Sequence, residues 1–78
     1  MTGTIKKVMS EGYGFIVTED GEQFFFHISG FIGDWNKLKE ENPPNTLAGQ
    51  DVLFKAIEHA RGPRAINVEV VNLDENDN

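Results

Sequence analysis

The chain has 78 residues with 38% apolar content, enough for one small domain with a single thin core and too little for most enzymes of ordinary size. No Cys is present to staple that core, which favours a closed or nearly closed architecture. Lys+Arg number 7 against 13 Asp+Glu, a net charge of −6 that on its face argues against a polyanionic partner.

Short β-favouring runs separated by Gly, Pro, Asn and Asp dominate the chain, with no sustained helical period. Thr4 to Met9 is expected as a first strand, and Ser10-Glu11-Gly12 links it tightly to a second, Tyr13 to Thr18. Glu19-Asp20-Gly21 is a hairpin signal, because Asp-Gly accommodates the positive φ that such turns require. Gln23 to Ile28 follows as a third strand. Links this short make the three a meander of antiparallel neighbours.

Ser29 to Gln50 breaks the pattern with Gly30, Gly33, Asn42-Pro43-Pro44-Asn45 and Gly49, and is expected as a long loop. Within it, Asp34 stands as N-cap for one or two helical turns over Trp35 to Glu41. Alternation returns in Asp51 to Glu58, with Val52, Phe54 and Ala56 on one side. After the turn His59-Ala60-Arg61-Gly62-Pro63, a fifth strand runs from Arg64 to Val71, with Ile66, Val68 and Val70 or their neighbours inward. Five strands with no tolerable open edge are expected to close into an all-β, five-stranded antiparallel barrel of the OB type, with its long loop between strands 3 and 4.

The rings are concentrated on two of these strands. Period-two alternation puts Tyr13 and Phe15 on one face of the second strand and Gly14 and Ile16 on the other. In the third strand Phe25 and His27 share a face opposite Phe24, Phe26 and Ile28. The set Ile16, Phe24, Phe26 and Ile28 is the more uniformly apolar and so the better core. Tyr13, Phe15, Phe25 and His27 are then left outside, either as a stacking platform for bases or packed beneath the long loop beside Phe31 and Trp35. Gly12 and Gly14 are expected to keep the backbone beside them open to an incoming base.

The charge is also unevenly distributed. Residues 1–18 carry a net +1 from Lys6, Lys7 and Glu11, whereas residues 72–78 carry −3 from Asp74, Glu75 and Asp77 with only Leu73 to bury. The expected organisation is therefore a domain over residues 1–71 followed by an acidic disordered tail, residues 72–78.

Two segments, Gly3-Thr4-Ile5-Lys6-Lys7-Val8 through Glu11-Gly12-Tyr13-Gly14-Phe15-Ile16 and Phe24-Phe25-Phe26-His27-Ile28-Ser29, resemble the cold-shock domain of bacterial cold-shock and Y-box proteins. Arg61-Gly62-Pro63-Arg64-Ala65-Ile66-Asn67-Val68 continues the likeness, which spans residues 3–70. The resemblance implies an OB-fold that binds single-stranded RNA and DNA with little sequence preference, in the manner of an RNA chaperone or transcription antiterminator. Tyr13 and Phe15 match the family's RNP1 aromatics and Phe25 and His27 the RNP2 pair. Lys6 and Arg61 match basic positions beside the binding face.

This chain departs from the family where Lys6-Lys7-Val8 replaces Lys-Trp-Phe, which removes two stacking positions and adds a cation at Lys7. Glu11 replaces a Lys, and Ile28 stands at a third aromatic position. Weaker binding than the family norm is expected. Trp35 could extend the platform or anchor the loop, and Arg61 and Arg64 could contact phosphate or be ordinary loop charges.

With two His and no Cys, a metal site is not expected, nor a cofactor, a small-molecule substrate or catalysis. No apolar segment resembles a signal peptide or approaches the ~20 residues of a membrane helix, so a cytoplasmic monomer without membrane contact is expected. The competing reading is an acidic protein-interaction module on the same barrel, with the rings as its hot spot and weak or no nucleic-acid binding.

Overall fold

Five strands form in the order β1 (Thr2–Met9), β2 (Tyr13–Val17), β3 (Gln23–His27), β4 (Asp51–Ile57) and β5 (Arg64–Val70). This computed structural model describes residues 1–42 and 49–71; the expected acidic tail over residues 72–78 and most of the Asn-Pro-Pro-Asn turn lie outside them. The strands close into a barrel with the circuit β1-β2-β3-β5-β4.

Four of the pairings are antiparallel, as the meander predicts, but β3 and β5 run parallel, matching Phe25 with Arg64 and Phe26 with Ala65. The expected five-stranded closed barrel is present, mostly antiparallel and mixed at this one seam. The physical reason is strand direction: β4 runs back against both β1 and β5, so β5 enters beside β3 in the same direction as β3. Phe31 bridges to Val68, and the Ile32 amide donates to the Val68 carbonyl at 2.8 Å, prolonging that parallel seam.

The β2–β3 hairpin turns at Gly21, whose φ of +88° an L side chain would strain to adopt. In this turn the Thr18 hydroxyl donates to the Asp20 carboxylate and, with the Glu22 backbone, holds that carboxyl below its ordinary pKa.

The long connection is partly ordered by its own caps. A single 3-10 turn spans Ile28–Gly30, and helix α1 covers Trp35–Glu41. As the sequence predicts, Asp34 caps α1, its carboxylate accepting from the amides of Asn36 at 3.0 Å and Lys37 at 3.3 Å. At the helix C-terminus buried Asn42 donates to the Leu38 carbonyl and to Gln50 Oε1 and accepts from the Gln50 amide, clasping α1 to the approach to β4. Among the described residues no helix is long and apolar enough to cross a membrane.

The core consists of Ile5, Val8, Ile16, Phe24, Phe26, Trp35, Leu38, Val52, Phe54, Ala65 and Val68. Ile28, expected in that set, is 42% exposed because β3 ends at His27 and the 3-10 turn that follows does not continue the two-residue alternation.

Two bulges also break the alternation. In β1 the partners step from Ile5↔Ile16 to Lys7↔Phe15, so Lys6 is an extra residue; Ile5 and Val8, three apart, both point inward and Lys6 and Lys7 both stay exposed. In β5 the step from Glu69↔Leu53 to Ile66↔Lys55 leaves an extra residue near Asn67, which takes a φ of 53°. Ala65 and Val68 are consequently the buried pair, in place of a regular Ile66, Val68 and Val70 series.

Asn tolerates this left-handed conformation better than other L residues. Asn67→Ala is expected to lower stability by about 1 kcal/mol and Asn67→Gly by less. Urea denaturation measures both, and equal losses would show that the side chain matters and the backbone angle does not.

Candidate nucleic-acid interface

On the outer face of β2 and β3, register alone sets the ring positions. Tyr13 pairs with His27 and Phe15 with Phe25, while the inward residues between them pair Gly14 with Phe26. Tyr13, Phe15 and Phe25 are half-buried and touch one another: Tyr13 lies nearly parallel to Phe25 at 5.6 Å between centroids, and Phe15 meets Phe25 edge-on at 5.9 Å and Tyr13 at 6.1 Å. Among the described residues of the long connection, the aromatic Phe31 and Trp35 go to the opposite side of the sheet, against Phe26.

Gly14 therefore does not open the outer face, as the sequence suggests. It is buried, and a Cβ there would fall 2.8 Å from the Phe26 ring and 2.5 Å from the Lys7 carbonyl, so its role is to let Phe26 seat directly beneath the platform. Gly12 is also buried, with a φ of +101° that turns the chain from β1 into β2.

His27, exposed at the end of β3, accepts from the Ser29 amide through Nδ1 at 3.1 Å. Nδ1 also lies 2.9 Å from the Ser29 hydroxyl. The ring is thereby oriented by the turn that follows it.

Cations flank the rings. Strand pairing lines up Lys7, Phe15, Phe25 and Arg64 in one transverse row across β1, β2, β3 and β5. The Arg64 guanidinium carbon lies 5.1 Å from the Phe25 ring centre. Lys6 reaches across the face to donate to Gln23 Oε1 at 3.2 Å. Arg61 is exposed in the turn before β5, its amide bound to His59 Nδ1 at 3.2 Å. Glu11, also exposed, sits in the turn between β1 and β2.

The structure thus gathers Lys7, Tyr13, Phe15, Phe25 and His27 on one face, with Lys6 beside them. Trp35 is not among them. Only 8% exposed, it packs against Phe26 at 5.6 Å and Phe31 at 5.8 Å, in the position of a loop anchor and away from the outer face. The first turn of α1 points it into the barrel end with Leu38. Its buried Nε1 has no partner among the described residues.

Val8 is 6% exposed and belongs to the core, so on β1 Lys7 and not Val8 shares the outer face with the rings. The Lys6 bulge is the reason, and nothing in the local sequence announces it. Arg64 is the member that sequence reasoning left undecided, because its contact with Phe25 depends on the parallel β3–β5 pairing between distant segments.

A family model described as the 'Cold-shock' DNA-binding domain matches residues 1–71. The chain is 43% identical over 68 residues to a cold shock-like protein CspD of Bacillus cereus, a match covering 86% of this chain and 92% of that one. It is 40% identical over 67 residues to the cold shock protein CspD of Bacillus subtilis, covering 85% and 91%. Among solved structures the barrel is similar to that of Drosophila Unr CSD456, with a TM-score of 0.59 at 21% identity; that match takes in 94% of this chain and 27% of the larger one and concerns the fold.

Because Trp35 touches Phe26 and Phe31, Trp35→Ala is expected to lower unfolding free energy by about 3–5 kcal/mol, a large share of what so small a domain possesses. Circular dichroism melts would register this as a large fall in Tm. An unchanged Tm would show that the helix is not anchored through this ring.

Proposed function

The chain belongs to the cold-shock domain family, and from that membership we propose that it binds single-stranded RNA and DNA by stacking bases on Tyr13, Phe15, Phe25 and His27. The observation that carries the proposal is the transverse row of a cation, two rings and a second cation, open on the outer face of the barrel. Planar rings in mutual contact on adjacent strands stack nucleobases whatever their sequence, each stack contributing about 1–3 kcal/mol.

Lys6, Lys7 and Arg61 neutralise backbone phosphates along the rim, while Arg64 lies against the Phe25 ring. A Lys cannot replace a ring in stacking, so the exchange at Lys7 trades a base contact for a phosphate contact. The result is weaker, readily reversed binding, suited to keeping RNA from pairing with itself. In this reading the protein works in the cytoplasm as a monomeric RNA chaperone or antitermination factor, without cofactor or catalysis.

The small number of cations limits the electrostatic contribution. Three phosphate contacts correspond to a log-log salt slope of about −2 for a single strand, and a slope steeper than about −4 would contradict this footprint. A fluorescence anisotropy titration with heptathymidine and heptauridine, repeated over a range of salt, measures it.

Phe25→Ala is expected to weaken both complexes by about tenfold at a temperature where the variant is folded, through the loss of one stack. Binding that is undiminished in Phe25→Ala and Phe15→Ala alike would remove the platform from the mechanism. No binding of any oligonucleotide, alongside capture of a basic peptide, would favour the protein-interaction alternative.

A further inference from the structure

The rim cations differ in how they meet the rings. Arg64 opens β5 opposite Phe25, half-buried, with its guanidinium carbon 5.1 Å from the ring centre. Tyr13 and Phe15 lie 5.6 and 5.9 Å from that same ring, so the guanidinium is a fourth member of the cluster. Lys6, by contrast, is held by Gln23 on a neighbouring row, and Arg61 is on an exposed turn.

Attraction to a ring engages the charge of a guanidinium and leaves its N–H fork available. A base that stacks on Phe25 therefore comes within about one ring-width of five donors in fixed geometry, with no acceptor among them. Bases differ in what they offer such a fork. Guanine presents two adjacent acceptors, O6 and N7, and pairs with Arg bidentately. Adenine sets an amino donor beside its N7, and thymine offers O4 alone on the corresponding edge.

We propose that Arg64 gives the platform a preference for guanine at the position stacked beside Phe25, through a bidentate bond from its guanidinium to O6 and N7. The inference rests on the binding function above and refines it: one position discriminates while the remaining stacks tolerate any base. In a single strand cytosine also exposes an adjacent acceptor pair, N3 and O2. The larger purine face is the better fit to a platform of three rings, so guanine is the base assigned.

The test compares heptathymidine with heptamers carrying one central dG, 7-deaza-dG, dC or dA, titrated at low salt against the full chain and its Arg64→Lys and Arg64→Gln variants. The quantity read is the ratio of each affinity to that for heptathymidine with the same protein, so any general loss of affinity or stability in a variant cancels. With the unmodified protein, dG is expected to bind about tenfold tighter than heptathymidine, the scale of one bidentate pair.

Replacing N7 by carbon should remove most of that gain, and in both variants the ratio should fall close to one. The lysine variant keeps the charge and loses the fork, which separates recognition from simple attraction. Four results would overturn the inference: no gain for dG, a gain indifferent to 7-deaza substitution, a gain that survives in both variants, or a gain for dC equal to that for dG. If heptathymidine binds and dG adds nothing, only this inference fails. If no heptamer binds, the binding function fails with it.

Discussion

Phe26 inside the barrel sets the position of the other rings. Fully buried, it lies against Trp35 and Phe31 and fills the space that Gly14 leaves by having no side chain. Because strand residues alternate, an inward Phe26 forces Phe25 and His27 outward, and because Phe26 pairs with Gly14, Phe25 must face Phe15 and His27 must face Tyr13. A one-residue slip of this pairing would bury the platform and expose the core. The burial energy of Phe24, Phe26 and Ile16, roughly 1.5–3 kcal/mol for each side chain, opposes such a slip. The stability of the barrel and the presentation of its outer rings therefore depend on the same contact.

The charge pattern depends on a different device. The bulge at Lys6 keeps two consecutive lysines on the outside while Ile5 and Val8 remain in the core, which regular alternation could not do. A second bulge, at Asn67, lets Ala65 and Val68 both face inward and leaves Arg64 next to Phe25. Each bulge disrupts the ladder locally, and each adjusts which residues meet across the barrel. Together they place cations at both ends of the Phe15–Phe25 row.

That row explains how a chain with a net charge of −6 accommodates a polyanion. Net charge governs the long-range field, which is screened beyond about 8 Å at physiological ionic strength. Contacts at the rim are shorter than that, and there the local sign is positive on either side of the rings. Base stacking on rings is tolerant of sequence because every base has a π-face.

The strand count, the Asp34 cap, the Asp-Gly hairpin and the division of Tyr13, Phe15, Phe25 and His27 from Phe24 and Phe26 were all legible in the amino-acid order. Each is decided by neighbours a few residues apart, through turn chemistry or two-residue alternation. The motifs shared with the cold-shock family were legible for the same reason. What tertiary structure alone decided is the parallel seam between β3 and β5, the two bulges, the inward turn of Val8 and Trp35, and the meeting of Arg64 with Phe25. These follow from closing the barrel, in which segments nearly forty residues apart in the chain must match registers, and no local pattern encodes where an extra residue will be accommodated.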